Sequence, residues 1–266
     1  MTAVPKAAEP ILLRDDRDGV ATLTLNRPAQ RNALSTALMA ALQAELDAIA
    51  KDPAVKVVVI AGTGPGFCGG HDLKEMRTNP GRQAYEALFA QCSRLMLSIT
   101  RLPQPVIARV HAIAAAAGCQ MVATCDLAVA AESARFAVNG VNIGLFCSTP
   151  MVALTRVIGR KPAMEMLLTG DMIDAPTALA HGLVNKVVPD RELDAAIAAL
   201  AAQIIAKSPL ALKIGKEAFY RQAELGLEEA YAYASGVMTT NMLARDAEAG
   251  IDAFLAKKPM PKWEGR

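Results

Sequence analysis

Several things that would mark a function are scarce in this chain of 266 residues. Its five cysteines, Cys68, Cys92, Cys119, Cys125 and Cys147, include no CxxC pair, and there are three histidines, His71, His111 and His181. Together they give no zinc-like spacing, so no metal site is expected. An odd number of scattered cysteines in apolar surroundings points to a reducing compartment rather than a disulfide framework. Charge of one sign is lacking too: 28 basic and 26 acidic residues leave a net +2. No basic block is present, so nucleic acid is not an expected partner. No apolar run approaches the roughly 18 residues that a membrane span needs, so no membrane is expected either. The first residues, MTAVPKAAEPILLRDDRDG, lack the charged-then-apolar layout of a signal peptide and are too acidic for a transit peptide. The expectation from these absences is a cytoplasmic protein.

What is present is apolar. Hydrophobic residues make up 53% and charged residues 20%. That composition supports a sizeable core in one large domain, or a large domain with a small appendage. A mean hydropathy of +0.25 suggests that some apolar surface lies between subunits.

Strands and helices alternate along most of the chain. Val20–Leu25 (VATLTL) alternates like a half-buried strand, and NRPAQRNALS then turns the chain. Leu34, Leu38, Leu42, Leu46 and Ile49 mark one helical face, with Ser35 as N-cap. Further strands are expected at Lys56–Gly62, Val106–Val110, Leu127–Ala131 and Lys186–Val188. Helices are expected at Ala84–Thr100, Ala117–Cys125, Thr155–Leu168 and Ala175–His181, and a loop at Asn139–Pro150. This pattern argues for an α/β fold with a buried, largely parallel sheet. Periodicity alone leaves a plain doubly wound sheet as the default. After about Ser208 the pattern is helical only, which places a boundary near residue 205: 1–205 as core and 206–266 as a helical region suited to packing on a neighbouring subunit.

Two small-residue turns carry the chemistry. Gly64–Met76 (GPGFCGGHDLKEM) follows the strand VVVIAG, and Ala114–Gln120 (AAAAGCQ) follows PVIARV and opens an apolar helix. The first lacks the phasing of a phosphate loop or a dinucleotide fingerprint. Gly69-Gly70 instead precedes His71-Asp72, with Asp72 placed to cap a short helix from Leu73 to Met76. In the second turn the N–H groups of Ala117 and Gly118 stand at a helix start, where the dipole favours negative charge. Two such N–H groups aimed at one point would form an oxyanion hole for a carbonyl oxygen. Each turn can equally be an ordinary tight packing contact. Asp126, in the apolar stretch TCDLAVA, reads as a structural acid, His111 as a core or pocket-wall residue, and His181 as a helix C-terminus before glycine.

With these segments in view, the chain resembles the crotonase, or enoyl-CoA hydratase/isomerase, superfamily along nearly its whole length. The resemblance rests on LNRPAQRNALS at 25–35, VKVVVIAGTGPGFCGGHDLKEM at 55–76 and QPVIARVHAIAAAAGCQMVATCDLAVAAESARF at 104–136. It continues in IGRKPAMEMLLTGDMIDAPTALAHGLVNKVVP at 158–189 and the terminal AFLAKKP. It implies a crotonase-like spiral of ββα units, a helical C-terminal trimerisation region, and a homotrimer or hexamer. It also implies an acyl-CoA substrate whose thioester oxygen is held by the backbone N–H groups of His71 and Ala117. No separate cofactor is implied, coenzyme A being part of the substrate. Arg31, Ala33, Cys68, Gly70, Asp72 and Leu73 match positions that line the CoA channel in relatives.

The chain departs from the family where protons move. The two hydratase glutamates match Gln120 and Gly140 here, and the further acid of dienoyl isomerases matches Ser148. General acid–base work contributes roughly 10²–10⁴-fold per group, so efficient water addition by the standard route is not expected. GLFCSTP at 144–150 resembles the third enoyl-CoA-hydratase-domain-containing type, and glycine-histidine before Asp72 resembles methylmalonyl-CoA decarboxylases. The expectation is a lyase or isomerase working through an enolate. A decarboxylase-like enzyme, a thioesterase using Cys147 or Ser148, and a non-catalytic acyl-CoA-binding protein stand as alternatives.

Overall fold

The computed structural model describes residues 9–266. The reading of the N-terminus as leaderless concerns residues 1–19, of which 1–8 lie outside the described residues. Leu12–Arg17 forms a first strand, β1, antiparallel to β2 (Val20–Leu25). β1 was not expected, because its sequence LLRDDR is mostly charged; it lies at the sheet edge, where such residues remain in water.

From there the chain runs α1 (Thr36–Ile49), β3 (Val57–Gly62), β4 (Gly66–Cys68), α2 (Leu73–Thr78), α3 (Arg82–Arg101), β5 (Val106–Val110) and β6 (Ile113–Ala115). It continues through α4 (Ala117–Thr124), β7 (Leu127–Ala131), β8 (Arg135–Ala137), α5 (Ser148–Val157), α6 (Arg160–Thr169) and β9 (Ile173–Asp174). Then come α7 (Ala175–His181), β10 (Lys186–Val188), α8 (Leu193–Ile205), α9 (Pro209–Gln222), α10 (Leu227–Met242) and α11 (Arg245–Leu255). The helix expected over Thr155–Leu168 is therefore two helices. Ile158 is extended and Gly159 caps α6, so the ladder breaks between them.

The default of one doubly wound sheet is corrected. Among the described residues there are two sheets, a six-stranded one ordered β1-β2-β3-β5-β7-β10 and a four-stranded one ordered β4-β6-β8-β9. Successive strands alternate between them: β3, β5 and β7 lie in the first, and β4, β6 and β8 in the second. Neighbours within each run are parallel. Each turn of chain thus adds one strand to each sheet before returning through helix, which is the ββα spiral implied by the family resemblance.

Side-chain alternation sorts the core. Ala21, Leu23, Leu25, Val58, Ile60, Val106 and Ala108 face α1, α3 and α4 in the main core. Val57, Val59, Ile107, Val129 and Val188 point the other way, onto Leu193, Ile197 and Ala201 of α8. Leu38, Leu42, Leu46 and Ile49 of α1 are buried, and the Ser35 hydroxyl accepts from Leu38 N at 3.2 Å as its cap.

Beyond residue 208 only helices follow. One buried polar cluster fastens them to the sheet. Lys216 Nζ donates to Ile99 O and Gln104 O, each at 2.9 Å, and to Asp126 Oδ2 at 2.6 Å. Asp126 also accepts from Tyr220 Oη at 2.8 Å and Val106 N at 2.7 Å. Asp126 is thus a structural acid. Burial pushes the Lys216 ammonium down, against the pull of Asp126. His181 ends α7 before Gly182 in the left-handed region, as the sequence suggests.

Candidate active site

The second sheet places the two turns side by side. β4 and β6 are parallel neighbours, with Cys68 opposite Ala114. Their carboxyl ends therefore lie together, and each chain runs straight from strand into turn. β8 is the next parallel neighbour, with Ala115 opposite Ala137, and it delivers the loop beginning at Val138 to the same end. Three short strands thus bring His71, Ala117 and Gly140 to one edge.

Glycine makes the approach close. A Cβ on Gly70 would stand 2.9 Å from Ala116 Cβ and 3.5 Å from Ala117 N, and Gly70 adopts φ +98°. A Cβ on Gly118 would fall 2.1 Å from the Cys68 carbonyl oxygen. Substitution at either position would force the two turns apart.

The backbone N–H groups at this edge are left over by the hydrogen-bond pattern. Leu34 bridges to the first turn, its N–H donating to Gly70 O at 2.7 Å and its carbonyl accepting from Asp72 N at 3.1 Å. Such a parallel bridge uses the residues either side of His71, so the His71 N–H itself points away from Leu34. Ala117 is the first residue of α4, where a helix leaves its N–H groups without an internal acceptor. Among the described residues, neither N–H has a hydrogen-bond partner. Ala116, which sets the direction of Ala117, has φ +47° and ψ −116°, a conformation that an L side chain rarely adopts. Such backbone costs on the order of 1–3 kcal/mol and is held only by its surroundings.

The side chains differ from their backbones. The His71 ring packs edge-on against Phe89, with centroids 5.6 Å apart. Burial holds its pKa below the usual histidine value, so the ring is neutral at pH 7. Sequence spacing gave no signal for Phe89. Asp72 caps α2 through Lys74 N and Glu75 N, both at 3.2 Å, and pairs with Arg27 Nη2 at 2.9 Å. Burial alone would raise this carboxyl, but the bonds from Arg27 and the two N–H groups outweigh it and hold it low. Both carboxylate oxygens are engaged within the protein. Cys68 is fully buried, and burial pushes its thiol up to about 12. Arg31 is exposed, with its Cβ beside Gly66 and Gly69 and its carbonyl accepting from Gly69 N at 2.8 Å. Ala33 is half-buried and Leu73 is exposed. Its neighbour Asn32 locks this loop, bonding Arg27 N, Thr63 O and Gly66 O at 2.8 Å each. His111, half-buried, lies off this edge and bonds Gly64 O through Nε2.

No carboxylate stands at the positions expected to move protons. Gln120 is buried, and among the described residues its Oε1 has no hydrogen-bond partner. Gly140 has no room for a side chain: a Cβ there would lie 2.4 Å from Leu145 O and 2.9 Å from Cys147 Sγ. Its N–H donates to Cys147 Sγ at 3.3 Å, and its carbonyl accepts from Leu145 N at 2.9 Å. Burial raises the Cys147 thiol further from reactivity. Ser148 is exposed, and its hydroxyl donates to Phe146 O at 3.4 Å, with no base beside it. Neither is arranged as an activated nucleophile. Among the described residues, no group of three or more His, Cys, Asp or Glu side chains is placed to hold a metal.

Comparison with known proteins places the chain in a family. The sequence model of the enoyl-CoA hydratase/isomerase family matches residues 15–266. The chain belongs to that family. It is 46% identical to the mitochondrial enoyl-CoA hydratase domain-containing protein 3 of Homo sapiens, over 92% of this chain and 81% of that one. A crystal structure of enoyl-CoA hydratase from Mycobacterium smegmatis is 55% identical, with a TM-score of 0.94 over 96% of this chain and 99% of that one. The crystal structure of the human domain-containing protein 3 gives 44% identity and a TM-score of 0.92, over 96% of this chain and all of that one. The resemblance to the third domain-containing type is thus confirmed. The cytoplasmic location expected from the sequence is not: the human, rat and mouse relatives are all named as mitochondrial proteins. Charge layout near an N-terminus says little about where such a fold works.

Proposed function

We propose that this enoyl-CoA hydratase/isomerase-family chain binds an acyl-CoA thioester and stabilises its enolate between the backbone N–H groups of His71 and Ala117. The observation that carries the reading is the pair of unpartnered N–H groups at the ends of two parallel strands, brought together by Gly70. Fixed donors of this kind stabilise charge growing on a carbonyl oxygen without reorganising. Gly118 keeps the α4 N-terminus close, and the helix dipole adds to the field. Arg31, Ala33 and Leu73 flank the first turn as the side of the CoA channel, with Cys68, Gly70 and Asp72 setting its backbone.

Efficient hydration does not fit the site. Gln120 cannot exchange a proton at neutral pH, and Gly140 is packed against Leu145 with no space for an acid. Ser148 supplies no substitute. The reaction that survives is one needing a stabilised enolate and no strong base, such as decarboxylation, in which loss of CO₂ leaves the electron pair on the enolate; isomerisation would need a proton carrier other than Gln120, Gly140 or Ser148. The same absence of acids favours a second reading, an acyl-CoA-binding homologue without turnover. A thioesterase reading has no activated nucleophile behind it.

Residues 1–205 are the catalytic or binding core in this reading, and 206–266 the oligomerisation region of a homotrimer or hexamer. Leu227, 78% exposed, and Leu243, 84% exposed, give the C-terminal helices an apolar surface suited to burial between subunits.

Incubation with crotonyl-, malonyl-, methylmalonyl- and dienoyl-CoA, followed by mass spectrometry, separates the readings. Conversion of one ester above the buffer rate supports an enzyme. Tight binding with no product from any ester supports the binding protein. Crotonyl-CoA hydration at an ordinary enzyme rate, about 10 s⁻¹, would contradict the account of Gln120 and Gly140.

A further inference from the structure

Arg27 reaches across the point where the first turn is fastened. Leu34 and His71 form an isolated parallel bridge, in which Leu34 N donates to Gly70 O and Asp72 N donates to Leu34 O. Arg27 grips a residue on each strand of it. Its Nη1 donates at 2.6 Å to the carbonyl of Ala33, the residue before Leu34. Its Nη2 donates at 2.9 Å to Oδ2 of Asp72, the residue after His71. The Arg27 backbone is tied to the same loop, its N–H donating to Asn32 Oδ1 at 2.8 Å and its carbonyl accepting from Asn32 N at 2.9 Å. The Arg27 and Asp72 side chains are 18% and 14% exposed, so the pair forms largely out of water.

The need for a cation here follows from chain order. Asp72 directly follows His71, and adjacent Cα atoms stand about 3.8 Å apart. Its carboxylate is fixed in place, because Oδ1 also accepts from Lys74 N and Glu75 N. A negative charge held that close to an N–H donor opposes negative charge growing on the oxygen which that N–H binds, and partial burial limits screening. The other acid of the turn, Glu75, is directed elsewhere. It accepts from Thr36 N at 3.0 Å, at the start of α1, where the helix dipole suits a carboxylate. Lys74 and Arg77 of α2 are exposed, and water screens their charges. Arg27 is left to balance Asp72. Resting on the acyl-CoA reading above, we propose that Arg27 is a positioning residue for the oxyanion hole: by cancelling the Asp72 charge beside the His71 N–H, it lets that donor act at full strength on the thioester oxygen. It does this through Asp72 rather than on the substrate.

Infrared difference spectra of the intact protein, saturated with butyryl-CoA carrying ¹³C at the thioester carbonyl, test this. In the wild type the bound C=O stretch should lie below its frequency in water. Arg27→Met should keep less than about half of that downshift. Arg27→Met with Asp72→Asn, which removes the carboxylate together with its cation, should recover most of it. Asp72→Asn alone, whose amide oxygen can still cap α2, leaves the Arg27 cation uncancelled and should give a larger downshift than wild type. A full downshift in Arg27→Met overturns the inference. A double variant no better than Arg27→Met also overturns it, because the pair would then only hold the loop. Should Arg27→Met not fold, Asp72→Asn decides, and a downshift no larger than wild type overturns the inference. Absence of any downshift in the wild type, or of butyryl-CoA binding by isothermal titration, overturns the oxyanion-hole reading itself, and this inference with it.

Discussion

The Lys216–Asp126–Tyr220 cluster and the two turns at His71 and Ala117 both bury polar groups, and they treat them oppositely. Lys216 has three donors and three acceptors, and Asp126 accepts from three directions. At the turns, among the described residues, two backbone N–H groups, both His71 ring nitrogens and Gln120 Oε1 have no partner, and Ala116 is held in a strained conformation. The residues around them differ accordingly. The complete cluster is built from long side chains that reach across elements nearly a hundred residues apart. The incomplete one is built from glycine and alanine, which bring backbone to backbone and leave its polar groups without a partner. A finished polar network holds a fold together, whereas an unfinished one in a rigid frame is a place for a ligand.

The sharpest way to break the comparison is at the finished cluster. Lys216→Met leaves Asp126 buried without its cation, and should lower unfolding stability by about 3–5 kcal/mol. Chemical denaturation would show it. A loss within experimental error would mean that the cluster is not what fastens α9 to the core.

Next in size is Gly140→Glu. The new side chain meets Leu145 O, so the variant should lose about 1–3 kcal/mol and gain no crotonyl-CoA hydration, alone or with Gln120→Glu. Robust hydration in the double variant would show that the segment 139–147 before α5 opens readily and that the missing acids alone explain a slow enzyme.

Tyr220→Phe removes one bond from the finished cluster and should cost about 1 kcal/mol. The smallest effect belongs to His71, whose ring is neutral because it is buried. Its folded pKa lies below the unfolded value, so below pH about 6.5 the unfolded chain binds the extra proton and the folded state loses stability as pH falls. His71→Gln keeps the backbone N–H and should flatten that decline between pH 7 and pH 5. An unchanged slope would place the acid sensitivity elsewhere.

Much of this was legible in the sequence. Alternation in VATLTL and the Leu38–Ile49 stripe follow from simple periods, and both elements form where the periods put them. Ser35, Asp72 and Gly182 cap helices because their chemistry permits little else. The second sheet was not readable from periodicity, because β4, β6 and β8 have three residues each, too few to show a period of two. Its existence came from family resemblance. Asp126 could be read as a structural acid, but not as the partner of Lys216, 90 residues away. Gln120 and Gly140 were visible as departures from the family. That Gly140 has no space for a side chain depends on the path of Leu145, which no local pattern encodes.

The central claim is that the His71 and Ala117 N–H groups hold the thioester oxygen. Isotope-edited infrared difference spectroscopy on a bound acyl-CoA carrying ¹³C at the thioester carbonyl reads those bonds directly. The account predicts a C=O stretch at lower frequency in the saturated complex than in water, and a smaller shift when Gly70→Ala displaces the Ala117 turn. A carbonyl frequency unchanged on saturation would contradict it.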